Sequence, residues 1–253
     1  MKGLAKWLFM VRASEISGLE ILVEELGFSY SRRLGLDLSS GDENQLFQWF
    51  LASILFGAPI SEKTAEKTFK LFQAEGLTDP EKLLEAGWDR LVEILDAGGY
   101  TRYDFKTADK LLEMAGNLEK LYGGSLLKLH EEASDGIELE KRIMGLAKGI
   151  GPVTLQIFLR EAYSALPKAE PRPSSYEILA ARSLGITSLK GETREELRLI
   201  LNQIKEAWRQ SGLKVGFPEF RVALLGLGRD YCRKAKCRDC FMSTQHCTHV
   251  STS

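Results

Sequence analysis

The sequence predicts an all-α protein, and three observations predict it. Apolar residues recur at helical spacing along most of the chain, helix-start signals precede those stretches, and no alternating apolar/polar run is long enough to need a sheet. About ten short helices joined by short loops account for the pattern. Leu46, Phe47, Phe50, Leu51 and Ile54 share helical spacing and predict a helix over 45–56. Ser61 supplies an N-cap, with Thr64 three residues on, for a helix running to Ala74. Asp79-Pro80-Glu81 starts another, with Asp at the N-cap, Pro at the first helical position and an acid in the first turn. Residues 88–95 and 102–118 continue the pattern on either side of Gly98-Gly99. Two further helices, 137–147 and 154–162, are joined by Lys148-Gly149-Ile150-Gly151-Pro152. Ser174 or Ser175 caps a helix through Arg182, and 193–210 forms another. No internal repeat or low-complexity linker interrupts the series.

A chain of 253 residues with 44% hydrophobic content can bury a substantial core as one large or two small domains. The expected division is an N-terminal helical segment, 1–44, packing with the C-terminal lobe; a helical lobe, 45–165, ending in the glycine hairpin; and a C-terminal lobe, 166–253. The opening run Met1–Arg12 is too short and too broken for a membrane span or a signal peptide, so a cytoplasmic, membrane-free monomer is expected, nucleoid-associated in a prokaryote. The net charge of −1 does not advertise a polyanion partner. Its distribution is less neutral. From Lys205 onward nine cations face four anions, which leaves that segment at +5 and the rest at −6. The excess sits around a cysteine loop, where phosphate contacts would be useful, although an ordinary charged surface has the same composition.

That loop holds every cysteine in the chain. Cys232, Cys237, Cys240 and Cys247 are spaced C-x4-C-x2-C-x6-C. Four thiolates this close can surround one soft metal centre, either zinc or an iron–sulfur cluster. A pair of disulfides fits poorly, because disulfides belong to oxidising compartments and mostly to small domains short of core. Spacing alone leaves cluster, zinc and disulfide open.

The hairpin Leu146-Ala147-Lys148-Gly149-Ile150-Gly151-Pro152-Val153-Thr154 is the second informative motif. Two glycines around one aliphatic residue permit a tight helix–helix turn. The second helix then offers free N–H groups at its start, a phosphate seat that reads no sequence. Ile150 would plug the turn into the core, and a plain αα-hairpin explains the same residues.

Hairpin and cysteine loop lie about eighty residues apart, and together they resemble the helix-hairpin-helix (HhH-GPD) DNA glycosylase superfamily, most closely its endonuclease III branch. The likeness runs from Asp42 to Cys247. It includes the helix 46–56, the segment Ala97-Gly98-Gly99-Tyr100, and the lead-in Leu224-Leu225-Gly226-Leu227-Gly228-Arg229-Asp230-Tyr231-Cys232. The resemblance implies a two-lobed fold and damaged double-stranded DNA as partner. It implies DNA contacts at Lys148, Gly149, Gly151, Val153 and Thr154 on the hairpin and at Arg233, Lys234 and Lys236 on the loop. It also implies a [4Fe–4S] cluster on Cys232, Cys237, Cys240 and Cys247, with zinc as the alternative. The first cysteine gap here is four residues where that branch has six, and the last is six where it commonly has five, so the loop must be wound differently.

The family's chemistry is altered. Members flip a damaged base out of the duplex and cut its glycosidic bond. Bifunctional members place a nucleophilic lysine two residues after the second glycine. Here that position is Val153, and Lys148 lies on the wrong side of the hairpin to replace it. Lys148 reads as a phosphate contact or a solvated residue. The catalytic aspartate of the alkylation-repair branch sits in Pro-Asp-Asp-Tyr, whereas this chain has Pro173-Ser174-Ser175-Tyr176. By distance from the hairpin, Glu170 is the candidate carboxylate; a loop acid paired with Lys168 or Arg172 is the plainer alternative. Glu177 is the second candidate, or else a first-turn helix acid. The base-replacing glutamine of the endonuclease III branch is absent from Phe56-Gly57-Ala58-Pro59-Ile60, where Phe56 or Ile60 could wedge into the stack or simply pack in the core. The functions implied are a monofunctional DNA N-glycosylase, an inactive DNA- or damage-binding module, or a structural or redox iron–sulfur protein.

Overall fold

In a computed structural model the described residues are 18–169, 171–242 and 246–247. They are helical throughout, with no strand among them. The chain divides into two compact units: Tyr30–Pro171 is one, and the residues on either side of it make up the other.

The Tyr30–Pro171 unit is built around α3 (Glu43–Phe56), whose residues Leu46 to Leu55 are all buried. A helix buried on every side needs partners all round it, and α4 (Glu62–Ala74), α7 (Leu126–Glu132) and α9 (Pro152–Ala162) supply them. Trp49 donates its indole N–H to the Phe158 carbonyl at 3.0 Å, and Phe50 meets the Phe158 ring at 4.8 Å. Each such aromatic contributes about 1.5–3 kcal/mol by leaving water. The capping residues act as the sequence implies. The Ser61 side chain accepts from the Thr64 amide, and Asp79 accepts from the Lys82 amide at the start of α5 (Pro80–Gly98). α5 is broken at Gly87, between the helix start expected at Asp79 and the stretch expected over 88–95. α6 (Asp104–Tyr122) packs along it. α7 is an element the periodicity does not announce. It has seven residues, and its first amides are satisfied from a distance by Glu43, which accepts from Leu126 and Leu127 and from the Ser125 hydroxyl. α8 (Gly136–Met144) completes this unit with the four-residue α2 (Tyr30–Arg33).

In the other unit, a helix over 18–26 (α1) accompanies α10 (Ser175–Ser183), α11 (Arg194–Ser211) and α12 (Phe217–Leu227). Ser174 caps α10 in a reciprocal capping box with Glu177. α12 is buried over nearly its whole length, so it shows no amphipathic period to read. A π-helical turn, Gly228–Cys232, continues it into the cysteine loop. Glu177 and Arg221 tie α10 to α12 through a fully buried ion pair at 2.7 Å.

Candidate nucleic-acid interface

The hairpin connects α8 to α9. Leu146, Ala147 and Ile150 are buried and anchor the turn. Three bonds hold its backbone: Ile150 N–H to the Ala147 carbonyl at 3.2 Å, Asn117 Nδ2 to the Leu146 carbonyl at 2.9 Å, and Lys148 N–H to Glu113 Oε2 at 3.0 Å. Gly149 has φ 90°, the left-handed region that a side chain rarely adopts. Gly151 caps α9 with no side-chain bond, and a Cβ there would meet nothing within 4 Å. Pro152 follows at the first helical position, and Leu155 is the first amide to close a bond, onto Gly151. The Val153 and Thr154 amides therefore have no carbonyl behind them in the helix and stand at the positive end of its dipole.

The side chains of these residues divide. Val153 is 60% exposed. Thr154 is buried and turned inward against Gly57, so only its backbone is available to a ligand. Lys148 is exposed. Besides Asn117, two residues that no motif flagged meet the turn. Glu113 of α6 binds the Lys148 amide, and Lys110 of α6 lies over Gly149. Burial holds the Lys110 ammonium below its ordinary pKa. Only tertiary packing brings these two to the hairpin, so spacing along the sequence gives no sign of them.

On the cysteine loop, Arg233 donates to the Tyr176 hydroxyl at 2.6 Å and lies over that ring. Lys234 pairs with Asp230 at 3.3 Å, and Lys236 is exposed. Cys232, Cys237, Cys240 and Cys247 all line one cavity of about 260 Å³, together with Leu179, Leu184 and Met242. They do not form a metal centre. Among the described residues no three His, Cys, Asp or Glu side chains are placed to hold a metal ion. The expected [4Fe–4S] cluster, and zinc as its alternative, are corrected on that finding. The short first gap has a local cause for its different winding. It turns through Ala235 at φ 51°, and Cys237 beyond it is exposed while the other three thiols are partly buried. A zinc ion needs its thiolates within about 2.3 Å of one point and a cluster needs one thiolate at each iron, and the described residues bring no such group together. Burial raises the pKa of Cys232 and of Cys240, so both favour the protonated thiol.

Glu170 lies outside the described residues. Lys168 is committed elsewhere, its ammonium donating to the His130, Glu131 and Ala133 carbonyls at the end of α7. Glu177 is held by the capping box and by Arg221. Phe56 and Ile60 are half-buried and pack against the core, with Phe56 edge-on to Tyr30.

Neither a family model nor a curated protein matches the chain. Among solved structures, a thermostable thymine-DNA glycosylase is similar over 97% of this chain and 99% of its own, at 16% identity and a TM-score of 0.59. At that identity the likeness is one of fold. Among the described residues no helix is long and apolar enough to cross a membrane. Among the described residues the fold is all-α, in two units, and it is similar to that of a thymine-DNA glycosylase.

Proposed function

We propose that this chain binds double-stranded DNA through the 148–154 hairpin and removes a damaged base as a monofunctional DNA N-glycosylase, without lysine-dependent strand cleavage. The observation that carries this reading is the hairpin itself. Its glycines and unpaired helix-start amides suit a phosphate, and an exposed valine stands at the position of the amine nucleophile. The fold similarity to a thymine-DNA glycosylase supports the reaction class and makes thymine the first base to test. Cleavage would pass through a sugar cation, which a fixed carboxylate stabilises without an amine. Glu170 is the carboxylate proposed, and Lys234 and Lys236 are proposed as further phosphate contacts.

The test is incubation with duplexes carrying mispaired thymine or alkylated, deaminated or oxidised bases, run with and without alkali. The expected product is abasic DNA that breaks only after alkali, with no adduct trapped by borohydride. Glu170→Gln should slow cleavage about a hundredfold while leaving affinity nearly unchanged. Strand breaks without alkali, or a trapped adduct, would reject the monofunctional reading. The placement of Glu177 favours a second reading, a binding module that does not cut. The acid nearest the serine pair is taken up in a cap and a buried ion pair. Binding without cleavage of any substrate would select it.

A further inference from the structure

We propose that Lys110, contributed by α6, is a DNA phosphate contact at the hairpin, an inference that rests on the DNA-binding reading above. A Cβ built on Gly149 would stand 3.1 Å from Lys110 Cε and 3.5 Å from Nζ, so the ammonium lies over the first glycine of the turn. The acids nearest to it in sequence are both bonded to other groups. Asp109 accepts the Trp88 indole N–H at 2.8 Å, and Glu113 accepts the Lys148 amide at 3.0 Å. Lys110 itself makes no hydrogen bond or ion pair among the described residues.

A half-buried ammonium with no counter-ion paired to it is an unfavourable arrangement, because burial penalises the charge. An incoming anion would offset it. Two neighbours extend the same surface: Lys106, one turn earlier on α6, and Lys148 on the hairpin are both exposed. Space is available as well. Gly151 faces open surroundings, and any side chain at Gly149 would run into the lysine. A phosphodiester fits this surface because it brings one negative charge per unit and can reach the ammonium and the turn together. Such a contact is blind to base identity, so it adds affinity at every sequence and a steeper dependence on salt.

The experiment compares wild-type protein with Lys110→Gln, Lys110→Arg and Lys128→Gln. Lys128 is an exposed cation on α7 that serves as the control for loss of net charge. Affinity for a mixed-sequence duplex is measured from low to moderate salt, and thermal unfolding is recorded for each variant. Lys110→Gln is expected to bind about tenfold more weakly at low salt, with a salt slope shallower by about 0.9. Lys110→Arg should retain both properties, and Lys110→Gln should melt no lower than wild type. Wild-type affinity and slope in Lys110→Gln would overturn the proposal, as would an equal loss in Lys128→Gln. If wild-type protein itself shows no salt-dependent binding, the DNA-binding reading falls and takes this inference with it. If only the Lys110 variants are silent, the inference alone falls.

Discussion

Gly228 approaches the backbone of Tyr176 so closely that a Cβ on it would overlap the Tyr176 carbonyl oxygen. A clash with backbone cannot be relieved by a rotamer change. Gly228→Ala is therefore expected to cost on the order of 2–3 kcal/mol, read as a fall of several degrees in melting temperature. A wild-type melting curve would contradict this. The Glu177–Arg221 pair is equally confined, with both side chains 1% exposed. Removing one partner strands the other charge away from water. Arg221→Met should destabilise by about 3–5 kcal/mol in a denaturant titration, and adding Glu177→Met should recover much of the loss. At this scale the sequence was partly legible. It marks Glu177 as a first-turn acid, but it cannot show the partner 44 positions away. It gives the cysteine spacing correctly, yet spacing carries no information on how far the thiols stand from one point. Lys110 had no signature at all, because its surroundings are created by folding.

Helix α8 begins on a network rather than on a single cap. Asp135 accepts from the Glu138 amide, and Glu138 in turn accepts from the Ser134 amide and from Arg142. The Ser134 bond, with Arg142 behind it, lowers the Glu138 pKa from 4.5 to about 2. A depressed carboxylate pKa means that the ionised form favours the folded state. Its contribution is present above about 4.5 and is lost as pH falls toward about 2. The Glu138 carboxyl carbon, followed by NMR, should titrate near 2, and a midpoint at the ordinary glutamate value would contradict this. Elements with side-chain caps were the readable ones. Ser61, Asp79, Ser174 and Thr193 each accept from the amide three residues on. The elements missed show no apolar period, although α7 does carry a cap, Ser125 accepting from the Lys128 amide. α7 is short and held at both ends by Glu43 and Lys168, and α12 is buried nearly all round.

For the whole molecule, the hairpin and the cysteine loop together suggested the fold, and the similarity to a thymine-DNA glycosylase extends across 97% of the chain. The chemistry was less legible, because Val153 and Ser175 stand where the resemblance implies a lysine and an aspartate. Binding should distinguish the loop cations. Lys236→Ala is expected to weaken duplex affinity more than Lys234→Ala, since Asp230 already offsets Lys234. Equal losses in salt titrations of the two variants would contradict that order. The division into units has a consequence for synthesis. Tyr30–Pro171 is one uninterrupted stretch, whereas the other unit joins segments on both sides of it. The first can close its core while translation continues, but the second must wait for residues past Arg172 to emerge. Loop closure over such a span costs little at equilibrium, about 0.6 kcal/mol per doubling of length, but contacts between distant segments form slowly. Pulse-labelled hydrogen exchange during refolding should therefore protect α3 and α9 before α10 and α12. On the ribosome, α1 would spend that interval without its partners, and during it the newly made protein would depend most on chaperones.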